Sequence, residues 1–172
     1  MELVDLYDEN RLPLGKTAER RTKREPGEYR TVVHVCIFNS EGQLLIQQRS
    51  EEKIIWPGKW DVSAAGAVDA GENSRQAAER EAEEELGYAL DLTGVRPTVT
   101  VNYDGGFDDY YIAERDLDIS ALKLQAEEVT AVRWATCEEV LALTAAGTFV
   151  SYPASFLEFL FDMRGTFGFL EK

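Results

Sequence analysis

Apolar residues along this chain form two kinds of pattern: short runs typical of strands and spaced stripes typical of helices. Residues 31–38 are apolar on both faces, as in a central strand of a sheet covered on both sides. Residues 153–163 begin with proline and carry a phenylalanine and leucine stripe, which predicts a helix. The same patterns predict a helix at 137–146, turns or loops at 10–15 and 103–109, and strands at 2–8, 43–48, 61–65, 95–101, 110–113 and 129–134.

Residues 66–88 combine a turn of small residues with a glutamate-rich helix. Asn73 is followed three positions later by Gln76, which predicts a capping box at the start of this helix. Gly87 stands where a left-handed residue commonly ends a helix. The helix is therefore expected between Asn73 and Gly87.

Three glutamates of this helix share one face. At about 100° per residue, Glu81, Glu84 and Glu85 fall within a sector roughly 100° wide. Their mutual repulsion destabilises an isolated helix, and a hard divalent cation such as Mg²⁺ or Mn²⁺ would relieve it. A solvated acidic helix face is the alternative, and the spacing alone does not separate the two.

The whole stretch resembles the Nudix box, whose pattern is G-x5-E-x7-R-E-U-x-E-E-x-G-U with U an aliphatic residue. Ala82 and Tyr88 stand at U positions and are smaller or more polar than the pattern prefers. Seven fixed residues at fixed spacings make the resemblance specific. The matching residues are Gly66, Glu72, Arg80, Glu81, Glu84, Glu85 and Gly87.

The resemblance implies an α/β fold, the Nudix α/β/α sandwich with a mixed β-sheet. We expect a single domain over residues 1–172, with segment 1–30 packing on it or flanking it. The implied activity is that of a metal-dependent hydrolase, which cleaves a diphosphate linkage in a nucleoside diphosphate derivative or a related small diphosphate.

The resemblance also assigns roles to residues. The glutamates matching Glu81, Glu84 and Glu85 hold Mg²⁺ or Mn²⁺ in the family, and the one matching Glu81 is also a candidate general base. Those matching Glu72 and Arg80 brace the loop against the helix. Some members add an acid from a later loop, for which the candidates here are Glu128 and its neighbour Glu127.

The flanking residues resemble the branch of the family that includes isopentenyl diphosphate isomerase. The resemblance is carried by residues 42–49, Lys53, residues 56–58 and Trp60. In that enzyme the basic residues matching Arg49 and Lys53 approach the diphosphate, so both are predicted to bind substrate here. An ordinary solvated loop position is an equally good interpretation of Lys53.

Three departures argue against isomerase chemistry itself. The isomerase has a cysteine before the box glycine and a histidine after it, where this chain has Ala65 and Ala67. Its opposing acid corresponds only approximately to Asp109. Allylic proton transfer needs an acid–base pair on opposite faces of the substrate, and Ala65 cannot supply one member. Hydrolysis is therefore predicted; isomerisation and a non-catalytic module that binds a nucleotide or a protein are the alternatives.

The composition limits the kinds of partner that the protein is expected to bind. The 172 residues are 44% hydrophobic and 29% charged, which is ordinary for a globular protein, and the net charge of −14 disfavours nucleic-acid binding. No apolar run is long enough for a membrane span and no signal-peptide pattern opens the chain, so a cytoplasmic enzyme acting on a small diphosphate is expected. The oligomeric state is open. Cys36 and Cys137 lack metal-ligand spacing, and Cys36 is predicted to be a buried free thiol.

Some polar and aromatic residues keep two interpretations. The basic segment 16–30 is either a solvated connection or a rim that attracts phosphates. His34 lies in an apolar strand and is predicted to be structural. Four aromatic residues could serve as core packing or as a wall for a substrate, namely Trp56, Phe107, Tyr110 and Tyr111.

Overall fold

The computed structural model describes residues 2–166. Within these residues lie nine strands and three α-helices. The strands are β1 (Leu3–Tyr7), β2 (Pro13–Glu19), β3 (Arg30–Phe38), β4 (Leu44–Arg49), β5 (Trp60–Asp61), β6 (Ala64–Ala67), β7 (Val99–Tyr103), β8 (Gly106–Glu114) and β9 (Val129–Ala135). The helices are α1 (Ser74–Leu86), α2 (Cys137–Ala145) and α3 (Ala154–Met163).

Strand β3 is the centre of a seven-stranded sheet. It pairs in parallel with β8 along its whole length and antiparallel with β6 and β4. Strand β4 also pairs antiparallel with β5 and β9, and β7 pairs antiparallel with β8. One parallel pair among antiparallel ones makes the sheet mixed, as predicted.

Alternate residues of β3 serve two different cores, because successive side chains of a strand point to opposite faces. Val33, Val35 and Ile37 pack with α1, whereas Cys36 and Phe38 pack with α2 and α3. This explains the apolar run seen on both faces in the sequence. The layers form the predicted α/β/α sandwich, and Cys36 is the predicted buried free thiol.

Strands β1 and β2 form a separate hairpin, the N-terminal hairpin, which packs beside β6, the strand that carries Gly66. Val4 and Leu6 are buried against Ala67 of β6, and the Ala70 amide donates to the Leu3 carbonyl over 2.8 Å. The predicted turn at 10–15 is shorter than expected, because β2 already begins at Pro13. Part of the basic segment 16–30 is therefore a strand and not a connection.

Other boundaries also differ from the predictions. Strand β7 begins at Val99 and not at residue 95, and two further differences arise from contacts between strands that are distant in sequence. The strand predicted at 61–65 is broken because the Ser63 hydroxyl donates to the Leu45 carbonyl and accepts from the Ile37 amide. The loop predicted at 103–109 is a two-residue turn. A Cβ atom at Gly106 would stand 1.8 Å from the Arg30 carbonyl oxygen, and because glycine has none, β8 can start pairing with β3 there.

The sole histidine of the sequence lies within the sheet. Its ring stacks on Tyr110 at 4.4 Å, and its Nδ1 atom lies 3.4 Å from the Tyr152 hydroxyl. These contacts agree with the predicted structural role of His34.

No helix within residues 2–166 is long and apolar enough to cross a membrane.

Candidate active site

Strand β6 and helix α1 present the box residues. The Asn73 side chain accepts from the Gln76 amide and the Gln76 side chain accepts from the Asn73 amide, so the predicted capping box is confirmed. Gly87 ends the helix in the left-handed conformation with φ +65°, also as predicted. Both ends of the helix are thus fixed by hydrogen bonds that the sequence encodes locally.

Gly66 allows α1 to lie directly on β6. A Cβ atom at this position would stand 1.8 Å from Oε1 of Glu81. Ala78 and Ala82 are fully buried on the same helix face, since small residues permit close approach to the sheet. The spacing of the box therefore places the Glu81 carboxylate against the strand backbone.

A cavity of about 140 Å³ opens beside this contact. It lies where α1, β6, the N-terminal hairpin and the segment before β9 meet. Its lining is dominated by charge: the acids are Glu2, Asp69, Glu81, Glu84, Glu85 and Glu128, and the cations are Arg20, Lys53 and Arg80.

Arg80 connects several residues of the stretch 66–88 by hydrogen bonds. Its guanidinium donates to both oxygens of Glu72 at 2.9 Å, to Glu81 at 2.8 Å and to Glu84 at 3.0 Å. It also donates to the Ala67 carbonyl at 2.9 Å, which joins the helix to β6. Hydrogen bonding to Glu72 raises the pKa of Arg80. Burial raises the pKa of Glu72, but the hydrogen bonds from Arg80 and from the Asp69 amide, together with the charge of Arg80, outweigh it, and the net shift is downward.

Glu85 is held from two sides at one oxygen. Its Oε2 atom accepts from the Gln47 side chain at 3.0 Å and from the Ala65 amide at 3.1 Å. Burial raises the pKa of Glu85 to about 7, and the nearby Glu81 charge adds to the shift. Burial likewise raises the pKa of Glu81, against the effect of Arg80. An ionised pair is thus costly here without a further positive charge.

Lys53 and Glu128 reach the cavity from outside the box and form an ion pair with each other. Burial lowers the pKa of Lys53. Of the two acids considered for this position, Glu128 lines the cavity, whereas Glu127 is exposed and does not. Arg49 also lies outside the lining, because its guanidinium pairs with the buried Asp61 at 3.0 Å.

Comparison with known proteins shows which family the chain and its site residues belong to. The family model described as the NUDIX domain matches residues 28–155. The chain belongs to the Nudix family. It is a Nudix-type hydrolase acting on acid anhydrides, as the match over most of its length to Nudix hydrolases shows.

Relatives and a solved structure agree with this assignment. A Nudix hydrolase of Listeria monocytogenes is 49% identical over 164 residues, which cover 95% of this chain and 96% of that protein. An isopentenyl-diphosphate Delta-isomerase of Streptomyces avermitilis is 30% identical, covering 87% and 79%. A crystal structure of a Deinococcus radiodurans protein superposes with a TM-score of 0.72 at 28% identity, covering 92% and 97%. The isomerase-like branch and the Nudix fold are thus confirmed.

Nudix hydrolases generally use divalent metal cations. The residues of the cavity suit such an ion by their chemistry, because carboxylate oxygens are the ligands that Mg²⁺ and Mn²⁺ prefer. Within residues 2–166, no three acidic, histidine or cysteine side chains converge in a metal-ligand arrangement. In the described residues Arg80 pairs with Glu81 and Glu84, and Lys53 pairs with Glu128.

The four aromatic candidates are separated by their burial. Phe107, Tyr110 and Tyr111 are at most 6% exposed and belong to the interior. Trp56 is 40% exposed, adopts a positive φ of 56°, and carries the Lys59 ammonium 4.6 Å above its ring. Among these four, Trp56 alone is accessible to a substrate.

The sequence patterns did not identify some residues of the site. Gln47 sits fully buried in β4 yet holds Glu85, and the signal for it was a glutamine inside an otherwise apolar strand. Glu2 and Arg20 reach the cavity from the N-terminal hairpin. Arg20 belongs to the segment considered as a phosphate-attracting rim, but no local pattern singled it out from its basic neighbours.

Proposed function

We propose that this protein is a metal-dependent hydrolase that cleaves a diphosphate linkage in a nucleoside diphosphate derivative or a related small diphosphate. The observation that carries the proposal is the cavity that Glu81, Glu84 and Glu85 of one helix line together with Glu128. We assign these four glutamates to Mg²⁺ or Mn²⁺, and Lys53 to the substrate.

The bound cation would neutralise charge on the phosphoryl oxygens and lower the pKa of attacking water. The side chains of the protein accept the proton and position the metal ligands. Glu81 is buried against β6 with an elevated pKa, which suits it to accept a proton near neutral pH. Glu72 lies outside the cavity lining and acts through Arg80, from which it accepts two hydrogen bonds, and Arg80 in turn orients Glu81 and Glu84.

The contacts also indicate which side-chain bonds would change when a metal ion binds. To hold a cation, Glu84 would use the oxygen that does not contact Arg80, and Glu128 would give up its bond to Lys53. Lys53 would then be able to donate to a phosphoryl oxygen. Arg49 stays paired with Asp61 and holds the Ile55 carbonyl at 3.1 Å, so we give it the role of supporting the loop that carries Lys53.

The test is a turnover screen of nucleoside diphosphate derivatives, dinucleoside polyphosphates and prenyl diphosphates with Mg²⁺ and Mn²⁺. We expect hydrolysis of at least one class, abolished by excess chelator. Glu81→Gln and Glu85→Gln each keep the side-chain shape while removing a ligand charge, so kcat should fall by roughly 100-fold or more.

Glu83→Gln is the matched control. Glu83 lies on the same helix but is exposed and outside the cavity lining, so this variant should keep kcat within about twofold of wild type. Full turnover in chelator, or near-normal rates in both cavity variants, would reject the mechanism.

A further inference from the structure

The N-terminal hairpin brings one cation, Arg20, to the acidic cavity. The other two lining cations, Arg80 and Lys53, are paired with glutamates assigned to the metal. The Arg20 guanidinium instead donates to Glu2 at 2.8 Å, and the Glu2 side chain is 56% exposed. Such an exposed pair contributes little to stability, so Arg20 can exchange its partner at low cost.

The backbone at Arg20 is firmly held. Its amide donates to the Glu2 carbonyl at 2.9 Å. Its own carbonyl accepts from the guanidinium of Arg30 at 3.0 Å and from that of Arg24 at 3.2 Å. Three hydrogen bonds therefore fix the point from which the Arg20 side chain extends, while the side chain itself makes one replaceable contact.

Arg20 lines the same cavity as Glu81, Glu84 and Glu85, so its charge faces the site. Because the lining carries six acids and three cations, a diphosphate has to enter a field of its own sign. Of the three lining cations, Arg20 has a partner, Glu2, that is not assigned to the metal, so it can serve the substrate in addition to Lys53.

We propose that Arg20 binds a phosphoryl group of the diphosphate substrate and gives up Glu2 to do so. The inference rests on the proposed function and extends it to the hairpin. The planar guanidinium matches phosphoryl oxygens with two parallel hydrogen bonds, a geometry that lysine cannot provide. Glu2 thus occupies Arg20 when no substrate is present and competes with it.

The test measures binding of methylenediphosphonate, a diphosphate that cannot be hydrolysed, to the full chain with Mn²⁺. We expect Arg20→Ala to weaken binding roughly tenfold and Arg20→Lys to recover part of the loss. Glu2→Gln removes the competitor without removing the cation, so it should bind the analogue more tightly than wild type. In turnover, Arg20→Ala should raise KM more than it lowers kcat.

Lys23→Ala is the control, since it removes the same charge from an exposed position of the same segment outside the cavity lining. It should leave binding within about twofold of wild type. Melting temperatures of all variants should agree closely, because the hydrogen bonds at Arg20 that hold the hairpin are made by its backbone.

The outcomes separate this inference from the one it rests on. Wild-type binding of methylenediphosphonate that Arg20→Ala leaves unchanged would overturn the role of Arg20 alone. Weaker binding by Glu2→Gln would overturn the exchange of partners. A wild-type protein that neither binds the analogue nor hydrolyses any diphosphate would overturn the proposed function, and the role of Arg20 with it.

Discussion

Burial separates three glutamates that look alike in sequence. Glu81 and Glu85 are 7% and 3% exposed, whereas the Glu84 side chain is 52% exposed. The helical spacing placed all three on one face, but it did not show which of them the sheet would cover. Burial raises the pKa of Glu81 and of Glu85, because desolvation penalises the ionised form.

Glu85 should make the metal-free protein less stable as pH rises. Its pKa is about 7 in the folded state against 4.5 for an unperturbed glutamate, so folding favours its protonated form. The stabilisation is complete below about pH 4.5 and is lost as pH rises through about 7. We expect the melting temperature in chelator to fall between pH 5 and pH 8, reflecting a loss of at most a few kcal/mol, on the order set by the pKa shift.

Glu85→Gln should flatten this profile. Both Gln47 and Ala65 donate to the same oxygen of Glu85, so the amide oxygen of glutamine can accept both bonds. Glu83→Gln, on the exposed side of α1, should retain the wild-type slope. Parallel profiles for wild type and Glu85→Gln would show that Glu85 does not titrate in this range.

At the scale of elements, β6 and α1 work as one unit because Gly66 lets the helix touch the strand. Gly66→Ala would force a Cβ into the Glu81 carboxylate, which lies 1.8 Å from that position. We expect the variant to shift Glu81 away from the strand and to lose turnover by roughly tenfold or more, while unfolding costs about 1–3 kcal/mol less. Circular dichroism should still show a folded chain. Unchanged kinetics would mean that Glu81 can move without consequence.

The elements and the box were predictable because their signals are local. Capping residues, the helix stop at Gly87 and the two-sided apolar run of β3 each lie within a few neighbouring positions. The position of Arg20 was not predictable, since it depends on how the hairpin packs against β6, a contact between residues distant in sequence. The break at Ser63 likewise depends on partners in β3 and β4. Arg49 was assigned to the substrate from a resemblance, and its pairing with Asp61 is tertiary.

At the scale of the whole molecule, Asp109 joins three parts of the fold. It is fully buried in β8, pairs with Arg11 of the hairpin, and accepts from Ser74 of α1 at 2.5 Å and from Thr100 of β7 at 2.6 Å. Burial raises the pKa of Asp109, but these hydrogen bonds, that of Arg11 first, bring it below its ordinary value. Its contribution to stability is therefore present above about pH 4 and is lost as pH falls further.

Asp109→Asn should destabilise the fold by about 2–3 kcal/mol, since it keeps the size of the side chain but removes the charge that Arg11 and two hydroxyls contact. Urea unfolding at neutral pH measures the change. Asp104→Asn is the control, because Asp104 is exposed at the β7–β8 turn and asparagine is equally suited to turns. Equal unfolding midpoints for wild type and Asp109→Asn would show that Asp109 does not hold the hairpin to the sheet.

The same contacts bear on the choice between hydrolysis and isomerisation. A relative 30% identical to this chain is an isopentenyl-diphosphate Delta-isomerase, so the fold alone does not decide between the two reactions. Isomerisation needs proton donors and acceptors beside carbon atoms on both faces of the substrate. Ala65 lines the cavity without a titratable group, and Asp109 lies outside the lining, engaged with Arg11, Ser74 and Thr100.

Wild-type protein incubated with isopentenyl diphosphate and Mg²⁺ should therefore form no dimethylallyl diphosphate, as judged by separation of the prenyl products. Ala65→Cys alone should not create the activity, because Ala67 still stands where the isomerase has histidine and Asp109 remains buried beneath the hairpin. Hydrolysis needs neither a thiol at position 65 nor an acid opposite it, so the same preparations should release phosphate or a monophosphate from a hydrolysable diphosphate at similar rates. Steady, metal-dependent accumulation of the allylic isomer by the wild type would show that another pair of groups performs the proton transfers and would assign the protein to the isomerases.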